Sequence, residues 1–314
     1  MMLPPLKNPM NRNSSQNRPV AGILLLDKPK GITSNQALQR VKKLYRARKA
    51  GHTGSLDPLA TGMLPLCFGE ATKFSQFLLE ADKIYEVTAK LGIKTTTGDA
   101  EGEILAEKPV PPLNKEKLDE LIQSFVGHIQ QIPSMYSAIK QQGQSLYKLA
   151  RQGIEVERKP RDIHIYSIDY LSHDKDTFSI KVHCSKGTYV RTLIEDMGEK
   201  LGCGAHVQDL RRLGVGPYAA QKMHTLEHLE ELAQHADYTA MDACLLSTDS
   251  AIQNWPEVFL SEAAIYYLKQ GQAIIIPYAP TSGWLRMKRK NGEFFGVGEI
   301  LSDGKIAPRR LVAG

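Results

Sequence analysis

The residues best suited to chemistry sit in one short run, Gly51-His52-Thr53-Gly54-Ser55-Leu56-Asp57-Pro58-Leu59-Ala60-Thr61-Gly62. Three glycines in so short a span exclude a helix interior and argue against a central strand. Pro58 pushes Asp57 out of the α region, so its carboxylate rides on stiff, extended backbone. Leu56, Leu59 and Leu64 predict a loop packed onto the body of the protein. Such a loop, presenting a carboxylate and an imidazole, suits nucleophilic or acid–base work. The ordinary alternatives are turn grammar for Asp57-Pro58 and a surface or satisfied core position for His52.

Several chemistries are missing from the sequence. There is no Walker loop, no G-x-G-x-x-G, no H-E-x-x-H and no serine nucleophile elbow. His224 and His228 have a spacing that some metal sites use. Thr225 caps the same helix, however, and no third ligand lies nearby in sequence, so they read as a surface pair. Cys67, Cys184, Cys203 and Cys244 form no C-x-x-C pair and read as reduced, mostly buried thiols. The chemistry is therefore expected to need no cofactor and no metal.

The formal charge of +6 and the pI near 9.0 point to a polyanionic partner. Arg40, Lys42, Lys43, Arg46, Arg48 and Lys49 lead into the glycine loop without an acidic residue. Arg211-Arg212, the run Arg286 to Lys290, and Arg309-Arg310 add basic spots, each of which alone reads more readily as a solvated face. One carboxylate with basic neighbours and a polyanionic partner fits work at a sugar or a base. A chain of 314 residues, 42% of them apolar, can bury a core and is expected to hold two domains. The longest apolar run, Ile23–Leu26, cannot span a bilayer, and the N-terminus lacks signal-peptide shape. Both features predict a soluble, cytosolic protein.

The elements that must position the loop follow from periodicity. Residues 1–20, rich in Pro, Asn and Ser, predict a disordered tail. A buried strand at Ile23–Leu26 ends in a turn at Asp27–Gly31. Thr33 and Gln36 form a capping box for a helix with Ala37, Val41 and Leu44 on its apolar face. A helix is predicted over Glu70–Leu79, then a strand over Lys83–Gly92 with Tyr85, Val87, Ala89 and Leu91 on one face. Asp99–Gly102 marks a loop or hairpin, and Asn114 caps a helix stopped by Gly127. Residues 130–160 mix polar, basic and aromatic residues without core periodicity and read as an excursion able to grip a ligand. Strands at Ile163–Ile168 and Phe178–Cys184 precede a helix from Tyr189 to Gly202. Arg191 falls in that helix's first turn, where a cation opposes the dipole. Its partner is either Glu195 at i+4 or a carboxylate from another segment. Residues 252–314 predict a small β-rich module with turns at Asn291-Gly292 and Asp303-Gly304.

Gly51–Gly62, Ile23–Gly31, Lys83–Val87, Ile132–Ala138, Ser185–Arg191 and Gly202–Leu213 together resemble the bacterial tRNA pseudouridine-55 synthases of the TruB family. Gly298-Glu299-Ile300 and Pro308-Arg309-Arg310-Leu311-Val312 resemble a PUA domain. The likeness runs from about residue 21 to the end, with the motifs in the family's order; Ser55 stands where alanine is frequent. It implies an α+β fold: a mixed, largely antiparallel central sheet with flanking helices in a catalytic domain over 21–250, and a β-barrel-like PUA module over 252–314. It implies isomerisation of a T-loop uridine in tRNA, with Asp57 as the essential carboxylate. Asp57 would attack C1′ or remove the C2′ proton; the sequence leaves both open. Arg191 would pair with Asp57 and lower its pKa. Tyr85 would stack on an extruded uracil, His52 would fill the vacated RNA stack, and Tyr189 and Leu210 would line the pocket. Lys28 and Pro29 would support the loop, and residues 130–160 would close over the T arm. The ordinary duties are a core position for Tyr85 and helix packing for Leu210. The expected partner is tRNA, engaged by a monomer without guide RNA or membrane. Rival readings are a guide-RNA-dependent synthase and a non-catalytic RNA-binding or folding protein.

Overall fold

The computed structural model describes residues 17–137, 139–141, 143–219 and 221–312. Strand β1 (Gly22–Lys28) is nearly all buried, and its end turns into helix α1 (Ser34–Leu44) through the predicted Thr33/Gln36 capping box. Two strands flank the glycine loop: β2 (Ala50–His52) and β3 (Thr61–Phe68). A 3-10 turn over Gly69–Phe74 and a short helix α2 (Ser75–Leu79) replace the single predicted helix. Strand β4 (Lys83–Leu91) follows, then the hairpin β5 (Ile93–Thr95) and β6 (Ile104–Glu107) around Asp99–Gly102. Helix α3 (Lys115–Gln123), capped by Asn114, leads to β7 (Gly127–Gln131).

Residues 130–160 carry two-residue strands β8 (Lys140–Gln141) and β9 (Gln144–Ser145) and helix α4 (Leu146–Arg151). Ala138 and Gln142 of this stretch lie outside the described residues. Then come β10 (Arg161–His173), β11 (Thr177–Cys184), α5 (Val190–Lys200) and β12 (Ala205–Val215). The larger unit ends with β13 (His224–Thr225), α6 (Leu226–Gln234) and α7 (Tyr238–Ala243).

The main sheet runs β13-β1-β3-β12-β4-β11-β10-β7, with β2 added to β3. Only β1–β13 and β3–β12 pair in parallel, so the sheet is mixed and largely antiparallel, as expected. One face packs on α1, α3, α5 and α6 through a single large core. The other face packs on the Gly69–Phe74 turn, α2 and residues 251–252, with Val297 of a second sheet joining that core. The second sheet is β14 (Glu257–Leu260), β15 (Gly283–Arg289), β16 (Phe294–Ile300) and β17 (Ile306–Leu311), with helix α8 (Glu262–Lys269). This small unit has its own core and docks through Phe74 on Phe294 and Phe77 on Trp255, with ring centroids 5.2 and 4.8 Å apart.

Three further expectations differ from the structure. The tail is shorter than residues 1–20: Val20 is buried, Arg18 pairs with Asp242, and its guanidinium lies 4.4 Å from the Tyr238 ring centroid. The rest of that expectation, residues 1–16, lies outside the described residues. Strand β3 replaces part of the supposed loop. Pro65 is tolerated there because it falls between two short partners, β12 at Thr61–Gly62 and β2 at Leu66–Phe68. The basic spots are largely neutralised by nearby carboxylates: Arg211 binds Asp27, Arg286 and Lys288 bind Asp249 and Glu257, and Arg309 binds Glu299.

Candidate active site

The loop from Thr53 to Ala60 is held at four points. Ser34, the first residue of α1, uses one hydroxyl to donate to the Leu56 carbonyl at 3.0 Å and to accept from the Leu56 amide at 2.7 Å. The Pro58 carbonyl accepts from the Gly31 amide at 2.8 Å and from Lys28 Nζ at 3.4 Å. The Thr53 amide reaches the Pro65 carbonyl at 3.1 Å. Arg212 donates to the Met63 carbonyl at 2.7 Å and to the Gly54 carbonyl at 3.2 Å. Gly62 (φ +95°) lets the chain pass Arg212, whose carbonyl oxygen would lie 2.3 Å from any Cβ added there. Together these contacts fix the backbone that carries Asp57.

Asp57 Oδ2 lies 3.1 Å from Arg191 Nη2. Arg191 leaves the first turn of α5 and is nearly buried. It also donates to the carbonyls of Thr97 and Tyr136, both at 2.8 Å, and meets Asp99 Oδ2 at 3.4 Å. Two carboxylates from other segments, rather than Glu195, therefore form its ion pairs and offset the helix dipole. Burial pushes the Asp57 pKa above the ordinary carboxylate value; Arg191 pulls it down, Asp99 pushes it up and Lys28 pulls it down. Arg191 thus acts on Asp57 in the expected direction, while burial outweighs it and the net shift is upward. The Asp57 side chain is still 42% exposed, so solvent screens part of both effects.

The cleft above Asp57 has a volume of about 420 Å³, in the range of small-molecule sites. His52, Tyr85, Tyr189, Leu210 and Arg191 all line it with Asp57. Tyr85 projects from β4 beside Val182 of β11 and Arg212 of β12. Burial raises its phenol pKa, while Arg212 pulls it down. His52 on β2 is half-buried, its Nδ1 has no hydrogen-bond partner, and burial with Arg212 lowers its pKa. The neutral imidazole is thereby favoured. Tyr189 caps α5, and its amide is held by Gln131 Oε1 at 3.0 Å.

Leu210 lies on strand β12 opposite Val87, so the expected alternative of helix packing is corrected. Lys28 and Pro29 do not line the cleft. Lys28 lies fully buried beneath it, donating to the carbonyls of Pro29 at 2.9 Å and Ile32 at 2.7 Å. Burial lowers its pKa to about 8, against the pull of Asp57 and Glu101.

Two site residues do not stand out in the sequence: Asp99 shows there only as part of a hairpin, and Arg212 only as one of the basic spots. Arg212 is 1% exposed. Had β12 been read as a strand, its two-residue period would have placed Arg212 on the face of Leu210. Nothing in the sequence linked Asp99 to Arg191.

Residues 42–190 match the family model for the TruB family pseudouridylate synthase N-terminal domain. Residues 191–253 match that for the tRNA pseudouridylate synthase B C-terminal domain, and residues 256–312 that for the pseudouridine synthase II TruB C-terminal region. The chain is 58% identical over 295 residues to the tRNA pseudouridine synthase B of Coxiella burnetii (strain RSA 493 / Nine Mile phase I), covering 94% of this chain and 96% of that one. It is 55% identical to the tRNA pseudouridine synthase B of Pseudomonas aeruginosa (strain UCBPP-PA14), covering 94% and 97%. Among solved structures, a Cbf5-Nop10-Gar1 complex contains a chain that shares the fold, with a TM-score of 0.70 at 24% identity, over 93% of this chain and 84% of that one.

Proposed function

From the chain's place in the TruB family of pseudouridylate synthases, to which it belongs, we infer that it isomerises uridine to pseudouridine in tRNA, and that its target is the T-loop uridine at position 55. The observation that carries the site assignment is the 3.1 Å contact between Asp57 and Arg191 on the floor of an open cleft. A carboxylate so placed is oriented by a guanidinium yet open to a ribose. The target base must leave its stack to reach it, at a cost of a few kcal/mol.

In the cleft the N1–C1′ bond breaks, the uracil turns, and C5 joins C1′. The C5 proton is lost and N1 gains one, so composition is unchanged and no redox partner is required. Asp57 drives the first step, either by attack on C1′ or by removing the C2′ proton. Tyr85 covers the base and excludes water, Tyr189 and Leu210 form the apolar wall, and neutral His52 occupies the gap left in the RNA stack. Arg191 holds Asp57 in place, and Lys28 with the Pro29 carbonyl holds the loop. Residues 130–160 close over the T arm, and residues 252–314 act as a PUA-like RNA-binding module whose phosphate contacts position rather than select. The chain works as a monomer without guide RNA, in the cytoplasm with its tRNA substrate. No helix among the described residues is long and apolar enough to cross a membrane.

The test is to incubate the purified protein alone with an unmodified tRNA transcript and map pseudouridine. Product at the T loop without guide RNA supports the reading; its absence at high enzyme concentration overturns it. Asp57→Asn is expected to abolish product while tRNA binding stays within a few-fold. A large loss of binding would contradict the assigned role.

A further inference from the structure

Away from the cleft, at the edge of the main sheet, β13 pairs in parallel with β1, placing His224 beside Leu26. His228 follows in the first turn of α6, and the polypeptide returns through α7 so that Cys244, its C-cap, reaches the same spot. One donor atom from each of His224, His228 and Cys244 lies within 4.8 Å of the other two. The imidazoles are nearly parallel, with centroids 5.7 Å apart and planes 17° apart. A second observation is independent of this proximity. His224 Nδ1 is buried without a hydrogen-bond partner, a state that calls for a ligand or another explanation. The Cys244 thiol has one weak outlet, the Ala240 carbonyl at 3.3 Å.

We propose that His224, His228 and Cys244 form a binding site for a divalent transition metal of zinc type. Two imidazole nitrogens and a thiolate suit Zn²⁺ and leave a fourth position for water. Donors around a tetrahedral zinc stand about 3.4–3.7 Å apart, so side-chain shifts of roughly 1 Å close the site. Lys222 and the α6 N-terminus oppose a dication. The thiolate formed when Cys244 releases its proton to solvent offsets them. A bound metal would tie the α6–α7 pair to the edge strand β13, which itself pairs with β1, the strand that ends at Lys28. Sequence spacing hides the site, because the third ligand lies on a helix end that returns only in the fold.

The full-length protein, freed of metal with a chelator that is then removed, is given Zn²⁺ alone and passed over a desalting column. One equivalent of zinc is expected to be retained. Iodoacetamide labelling of Cys244, mapped by mass spectrometry, is expected to slow in the presence of zinc; Cys67, Cys184 and Cys203 are buried and serve as internal controls. Cys244→Ser and His228→Gln are each expected to weaken zinc binding by at least about tenfold. Failure of the wild type to retain zinc, equal retention by both variants, or labelling of Cys244 at the same rate with and without zinc would each overturn the proposal. The labelling test needs no variant, so a misfolded substitution cannot hide the answer.

Discussion

Replacing Asp99 with Asn removes the second carboxylate on Arg191 and leaves Asp57 as its one anionic partner there. The two carboxylate oxygens lie 3.1 and 3.4 Å from the terminal nitrogens of one guanidinium. They are therefore within roughly 9 Å of each other, where two like charges repel by about 0.5 kcal/mol in water and about 1.8 kcal/mol at an effective dielectric of 20. Removing that repulsion favours the ionised form of Asp57 by about twofold to about twentyfold. Either proposed route needs Asp57 ionised. The acidic limb of kcat/KM against pH should therefore move to lower pH, and the rate at a fixed pH on that limb should rise by the same factor. The Asn oxygen can still accept from Thr97 Oγ1 and the Glu101 amide, as Asp99 Oδ1 does at 2.6 and 3.1 Å, so the hairpin is kept. The assay is pseudouridine formation in tRNA across pH 5–9, with thermal unfolding as a folding control. An unmoved limb, or one displaced to higher pH in a folded variant, would refute the electrostatic account of the site.

Arg191→Met should move the acidic limb the opposite way, because loss of the cation disfavours the Asp57 carboxylate. It should also cost about 3–5 kcal/mol of stability, since buried Asp99 is left without its cation; urea unfolding measures this. Gly62→Ala should lower the melting temperature and expression together, because the added methyl meets the Arg212 carbonyl at 2.3 Å and φ is +95°. Binding of tRNA, followed by filter retention, should weaken steeply as salt rises from 50 to 200 mM, by about tenfold or more if several phosphates are contacted.

Much of the fold could be read locally. The Thr33/Gln36 box, the alternation of Tyr85, Val87, Ala89 and Leu91, and the apolar stripe of α5 act over a few residues, and each forms where it was expected. Strand β3 was hidden by its own chemistry. It is buried along nearly its whole length, so it shows no alternation, and Pro65 argues against a strand until its neighbours are known to be short.

The glycine loop with Asp57, and the unease of Arg191 in a helix's first turn, were likewise written in the sequence. The identity of Arg191's partners was not. Asp57, Asp99, Arg212 and Cys244 acquire their meaning from side chains brought in by distant segments, across sheet pairings and helix returns that no short spacing rule encodes. Propensity, capping and pleat act over a handful of residues. Ion pairs, loop clamps and candidate ligand sets act through space, and only the assembled sheet with its packed helices decides which distant groups share it.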